Sequence, residues 1–262
     1  MMFDLCQSPV TLAQKQSLSE WDGMIHAFLA HGTSTPHHLG AILKAEPDFA
    51  MGHATRGLFS LMMGRAELVA IAKDALSAAQ TARRAGPITR REALWIDALA
   101  HWLEHNPSGA VAAMEEVLAT HPSDTLSAKV SHAIRFILGD AVGMRTSIER
   151  VLDAHDASHP FRGFALGCHA FTLEETGEYA RAEAAGRRGL ELAPDDAWGL
   201  HAVAHVYDMT ARPDLGIELI ETNTGAWDHC NNFRYHVWWH KALLHMDRRE
   251  NDVALGLYDA QI

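Results

Sequence analysis

Gly163–Asp196 reads GFALGCHAFTLEETGEYARAEAAGRRGLELAPDD and is the most regular stretch of the chain. Alanine, leucine, glutamate and arginine fill two periodic segments, a composition typical of helices rather than strands. Gly177 interrupts the period between the two segments, and Pro194 follows the second. The stretch therefore predicts two helices joined by a tight turn.

Similar breaks recur along the rest of the chain. Alternating β-branched runs bounded by hairpin turns are missing. The breaks expected between helix pairs are Pro47, Pro122, Pro160 and Pro194, and those expected within a pair are Gly64, Gly139 and Gly177. We therefore predict an all-α fold in which 47–262 forms an α-solenoid of about six antiparallel helix pairs. An irregular helical segment, 1–46, is expected to precede it.

The Gly163–Asp196 unit also resembles one known repeat. Gly177 stands at the turn, Ala182 and Gly189 supply small residues where helices approach closely, and LELAP at 190–194 matches the usual closing sequence. These features resemble the tetratricopeptide repeat (TPR). The resemblance implies TPR-like helical repeats in which the first helix of each pair lines a concave groove.

The order of segments over Thr89–Ile262 is more specific. The runs in question include TRREALWIDALAHW, FILGDAVGMRTSIERVL, DAWGLHAVAHV and HVWWH. Together they resemble the tetratricopeptide repeat protein 38 family, which implies a cytosolic helical-repeat protein. Members of that family usually continue beyond the equivalent of Ile262, and Arg248-Arg249 stands where they have an inter-helix glycine. We therefore expect a chain truncated on its C-terminal side.

Composition excludes several classes of function. The net charge is −11 and the basic residues are not clustered, so no nucleic-acid partner is expected. Cys6, Cys168 and Cys230 are too scattered for a disulfide framework or a thiolate metal site. No export signal or long apolar run is visible, so no membrane association is expected. These features predict a soluble cytoplasmic protein.

Two His-x-x-x-His pairs are the main candidate site. HAVAH contains His201 and His205, and HVWWH contains His236 and His240. A spacing of four residues places both imidazoles of a pair on one helix face. Carried through the TPR register, the resemblance implies that the groove is lined by Glu174, Trp198, His201, His205, Asp208, His236, Trp239 and His240.

Two functions fit this arrangement. The first is a scaffold that binds a peptide or small-molecule ligand in the groove. The alternative is a metal-dependent enzyme in which the four histidines hold zinc, iron or manganese and activate water for hydrolysis. Glu174, Glu175 or Asp208 would then supply a general base. Because neither pair contains the glutamate of HExxH, a zincin-type protease is not expected.

The last repeat predicts self-association. A terminal repeat normally has a polar outer face, whereas this chain ends on the apolar Ile262 without such a cap. An exposed apolar end, and with it a homo-oligomer, is therefore expected.

Overall fold

The computed structural model describes residues 1–262, and helices make up nearly all of their regular structure. Two short strands, β1 (Met2–Phe3) and β2 (Pro9–Val10), pair antiparallel with Met2 opposite Val10. The helices are α1 (Lys15–Leu29), α2 (Thr35–Ala45), α3 (Ala50–Met62), α4 (Val69–Ala85), α5 (Arg90–Leu103), α6 (Pro107–Thr120), α7 (Thr125–Ile137), α8 (Ala141–Val151), α9 (Arg162–Glu175), α10 (Tyr179–Leu192), α11 (Ala197–Met209), α12 (Pro213–Thr222), α13 (Phe233–Asp247) and α14 (Asn251–Gln261). The predicted all-α fold is confirmed. None of these helices combines the length and apolar character needed to cross a bilayer.

Six tight turns join successive helices from α3 to α14 into pairs. Each turn contains one residue with a positive φ angle: Gly64, His105, Gly139, Gly177, Ala211 and Arg249. The three predicted turn glycines are thereby confirmed. At the last turn Arg249 has a φ of 62° although it is not glycine, so this pair closes through the same left-handed conformation.

The chain divides into two compact units. The first contains residues 1–26 and 34–147, and the second contains residues 27–33 and 148–262, so the boundary along the chain falls within α8. Trp21 and Trp95 are fully buried in the first unit, and Tyr207 and Trp227 are buried in the second. Each unit therefore has its own aromatic core.

A buried ion-pair network ties the N-terminal segment to α5 in the first unit. The side chain of Arg91 is completely buried, and its Nη1 donates to Asp4 Oδ2 at 2.7 Å. Its Nε donates to Asp124 Oδ2 at 2.6 Å. Asp4 also accepts from Trp21 Nε1 at 3.2 Å. The guanidinium is thus held between two carboxylates that are distant in sequence.

Glycines allow the helices of the second unit to approach closely. A Cβ atom at Gly163 would lie 2.7 Å from the backbone nitrogen of Ala193. A Cβ atom at Gly199 would lie 3.2 Å from the Cα of Gly167, so α9 and α11 nearly touch through their backbones. This close approach brings the C-terminal end of α9 beside the histidines of α11.

Residues 27–33 complete the second unit from a distant part of the sequence. Gly32 forms an isolated β-bridge with Cys230, and Asn231 N donates to His31 O at 2.9 Å. The imidazole of His31 stacks on Phe233 with ring centroids 4.6 Å apart. The start of α13 is therefore packed against this short segment.

Candidate metal centre

Four imidazole nitrogens converge between α11 and α13. His201 Nε2 lies 2.9 Å from His236 Nε2, and His205 Nε2 lies 3.2 Å from His240 Nε2. His236 and His240 Nε2 are 3.0 Å apart. One ring nitrogen from each of the four residues lies within 4.8 Å of all the others. The two sequence pairs thus form a single cluster.

Helix geometry explains this convergence. Each pair is spaced by four residues and so lies on one face of its helix. His201 faces His236 and His205 faces His240, which means that α11 and α13 run parallel. The side chain of Asp196 accepts from Trp198 N at 3.2 Å and caps the start of α11. Because the two helices run side by side in the same direction, successive turns of α11 lie opposite successive turns of α13.

The cluster is buried on one side and open on the other. His201 and His240 are 3% and 8% exposed, whereas His236 is exposed to solvent. The ring of His201 lies 5.8 Å from Phe171, 5.3 Å from Trp198 and 5.4 Å from Phe233, measured between centroids. These aromatic rings exclude water from the inner side, so access is from the side of His236.

Burial favours the neutral form of these histidines. It lowers the pKa of His201 far below the ordinary value, and the neighbouring His205 reinforces the effect. Burial and then His205 lower the pKa of His240 to about 3. The pKa of His236 is also lowered, first because part of its ring is desolvated within the cluster and then by His205, although the residue is exposed on its outer side. Neutral imidazoles have a lone pair available for a metal ion.

Hydrogen bonding among the four rings is incomplete. A neutral imidazole nitrogen carries either one proton or one lone pair. His236 Nε2 and His240 Nε2 each lie close to two other nitrogens, so each would have to share that proton or lone pair between two contacts. The buried Nδ1 of His201 has no hydrogen-bond partner. A cation that binds all four lone pairs would remove the conflict at the Nε2 atoms.

Two glutamates lie on the far side of His205. Glu174 Oε2 is 3.3 Å from His205 Nδ1, and Glu174 is 7% exposed. Oxygens of Glu174 and Glu175 and a ring nitrogen of His205 lie within 4.8 Å of one another. The pKa of Glu175 is raised by burial and by the charge of Glu174. The predicted carboxylate therefore lies next to the cluster, although outside the ring of nitrogens.

The other predicted groove residues have different surroundings. Trp198 is 8% exposed and packs against His201 rather than presenting an open surface. Asp208 lies near Asp247, and its pKa is raised by burial and then by that carboxyl group. Trp239 is 43% exposed and lines an apolar groove with residues of α14, including Leu255 and Tyr258. The candidate site therefore consists of the four histidines, with Glu174 beside His205 and Trp198 as one wall.

His31 and Phe233 are parts of the site's surroundings that sequence reasoning missed. His31 stacks on Phe233, and its ring lies 5.9 Å from Trp198 between centroids. No spacing signal connects His31 with residues about two hundred positions later. Phe233 stands at the start of α13 one turn before His236, so helical periodicity was the one signal that pointed to it.

In metal-free protein, stability is expected to fall as the pH decreases below about 6.5. The unfolded chain then takes up protons that buried His240, with a folded pKa of about 3, does not bind. The pKa of His240 is lower in the folded protein than in the unfolded chain. Its contribution to the free energy of unfolding is therefore fully present above the unfolded pKa and is lost as the pH falls below that value. The loss from His240 is about 2 kcal/mol between pH 6.5 and pH 5.

Urea unfolding with a chelator at pH 7.5, 6 and 5 measures this effect. His240→Gln has no imidazole at this position and is expected to show a correspondingly smaller loss. Equal losses in the wild type and in His240→Gln would contradict the buried neutral state of His240.

Comparison with protein families gives no assignment for this chain, because no family model matches it.

Proposed function

We propose that this chain is a metalloprotein in which His201, His205, His236 and His240 bind one divalent transition-metal ion. The supporting observation is the separation of the Nε2 atoms, which is 2.9–3.2 Å in three contacts. Two nitrogens bound to one ion at about 2.0–2.1 Å are about 2.9 Å apart at a right angle and about 3.4 Å apart at a tetrahedral angle. The cluster therefore has the dimensions of a coordination shell.

The ligand set favours particular metals. Imidazole nitrogens suit zinc, iron and copper, whereas magnesium and calcium prefer oxygen. Four neutral imidazoles leave the two positive charges of the ion undiminished, so a bound metal would be a strong Lewis acid. The side of His236 is open to solvent, where a water molecule could complete the shell. We propose activation of this water for hydrolysis of a small molecule as the chemistry of the site.

Metal analysis tests the proposal. Protein purified without an affinity tag or chelator is expected to contain close to one equivalent of zinc, iron or copper. Chelator-treated protein titrated with cobalt(II) is expected to develop the visible absorption of a nitrogen-ligated ion with an endpoint at one equivalent. Metal-free protein that gives no cobalt spectrum and binds no zinc at micromolar concentration would overturn the proposal.

A ligand-binding scaffold is the second candidate. The observation in its favour is the apolar groove between α13 and α14, in which Trp239 and Tyr258 are 43% and 54% exposed. On this proposal the chain is a TPR-type protein related to the tetratricopeptide repeat protein 38 family. The apolar groove between α13 and α14 then binds an apolar peptide or small molecule. Exposed Leu255 on α14 and exposed Ile262, directly after that helix, also support self-association. Such binding, unlike the metal chemistry, would persist in metal-free protein.

We also propose that this protein is located in the cytoplasm. All three cysteines are buried and free of disulfide bonds, as expected in a reducing compartment.

A further inference from the structure

Acidic residues gather at the C-terminal ends of three neighbouring helices in the second unit. α9 ends in Glu174 and Glu175, α11 has Asp208 in its last turn, and α13 ends at Asp247. The C-terminal end of a helix carries partial negative charge, so a carboxylate there is electrostatically unfavourable. No arginine or lysine forms an ion pair with any of the four, and the basic side chain within 4.0 Å of one of them is the imidazole of His205 beside Glu174. We call these residues the acidic rim.

The buried member of the acidic rim lacks a donor. Glu174 is 7% exposed, and its Oε2 makes no hydrogen bond. Its contact with His205 Nδ1 at 3.3 Å does not have hydrogen-bond geometry. A buried carboxylate oxygen without a donor costs free energy, which a bound cation would offset.

Electrostatic repulsion within the acidic rim agrees with this geometry. Partial desolvation of its carboxyl group and then the charge of Glu174 raise the pKa of Glu175, although the residue is exposed. Burial and the neighbouring Asp247 raise the pKa of Asp208, which also feels the charge of Glu174. The carboxylates are therefore close enough to disfavour each other's charge, and a cation among them would relieve this repulsion.

The ring of His205 separates the acidic rim from the four-histidine centre. Its Nε2 lies 3.2 Å from His240 Nε2, whereas its Nδ1 lies 3.3 Å from Glu174 Oε2. An ion at the carboxylates would therefore lie on the opposite side of this imidazole. The two places also differ in chemistry, because one offers nitrogen and the other oxygen.

We propose that Glu174 and Glu175 bind a second, hard divalent cation such as Mn²⁺, Mg²⁺ or Ca²⁺, with Asp208 and Asp247 adding negative charge. Oxygens of the two glutamates lie within 4.8 Å of each other. Ligands on one ion, at bond lengths of about 2.0–2.6 Å, are separated by no more than about 5 Å. This site goes beyond the proposed metalloprotein function and does not require the histidine centre to be occupied.

Mn²⁺ binding measured by electron paramagnetic resonance tests the second site. Protein first loaded with one equivalent of zinc is titrated with Mn²⁺, and one further equivalent is expected to bind. Because Glu175 is exposed, Glu175→Gln should fold normally and weaken Mn²⁺ binding at least tenfold. Glu191→Gln is the matched control: this exposed glutamate on α10 pairs with Arg188, and its replacement should leave Mn²⁺ binding unchanged.

A variant with His201 and His240 replaced by alanine separates this proposal from the first. It is expected to lose zinc and to keep Mn²⁺, which would support the acidic rim as a distinct site. Loss of Mn²⁺ binding in this variant but not in Glu175→Gln would assign the ion to the histidine centre and overturn the inference. Absence of Mn²⁺ binding to the zinc-loaded wild type would also overturn it, while leaving the four-histidine centre intact.

Discussion

Replacing His201 and His240 together by alanine is expected to weaken zinc or cobalt(II) binding by at least about a hundredfold. Loss of a residue that merely orients a metal ligand typically costs about 10–100-fold in affinity, and this change removes two direct ligands. These two histidines are also the most buried of the four, at 3% and 8% exposure, so water cannot readily take their places. Competition titration against a chromophoric chelator measures the change.

His169→Ala provides the matched control. His169 is 8% exposed, lies on neighbouring α9 and contacts Glu149 at 3.3 Å, away from the four-nitrogen cluster. Its replacement is expected to leave metal affinity within about threefold of wild type. If the double variant does not fold, His236→Ala replaces it, because His236 is exposed. Wild-type affinity in a folded His236→Ala variant would argue against a shared four-histidine ion.

Replacing Arg91 by methionine is expected to lower the free energy of unfolding by about 3–5 kcal/mol. The guanidinium is fully buried and donates to Asp124 through Nε at 2.6 Å and through Nη2 at 3.0 Å. Its removal leaves Asp4 and Asp124 as buried carboxylates without their cation. Methionine retains most of the aliphatic volume of arginine, so the decrease in the free energy of unfolding arises mainly from the two carboxylates left without a cation. Urea unfolding at pH 7.5 provides the measurement.

Arg90 is a matched control one residue away. It pairs with Glu116 on the surface, where their side chains are 63% and 52% exposed. Arg90→Met is therefore expected to change stability by no more than about 1 kcal/mol. A loss in Arg91→Met as small as that in Arg90→Met would show that the buried network contributes little.

The helix pairs were largely predictable because their signals are local. Gly64, Gly139 and Gly177 mark turns in the sequence, and all three have positive φ angles in the structure. The turns at His105, Ala211 and Arg249 form without a glycine, and Arg249 stands where the family resemblance places one. Its φ of 62° shows that the turn between α13 and α14 forms without one, at a site where the side chain is exposed. The absence of a glycine therefore removes the sequence signal for this turn but does not prevent the turn from forming.

The candidate site was predictable only in part. The four-residue spacing identified the face of each helix that carries its histidines. It did not establish that His205 and His240 lie 3.2 Å apart, because that distance depends on the packing of α11 beside α13. Trp239 precedes His240 by one residue and is turned about 100° around the helix. It consequently lines the groove with α14 instead of the cluster.

The sequence by itself determined the all-α class, the approximate helix pairs and the two histidine faces, because periodicity and turn residues act over a few positions. Only the tertiary structure decided which faces meet. Close approach at Gly167 and Gly199 brings Glu174 to His205, and chain folding brings Asp4 and Asp124 to Arg91. Such contacts depend on packing between segments distant in sequence, and the burial that shifts the pKa of His240 arises from the same packing.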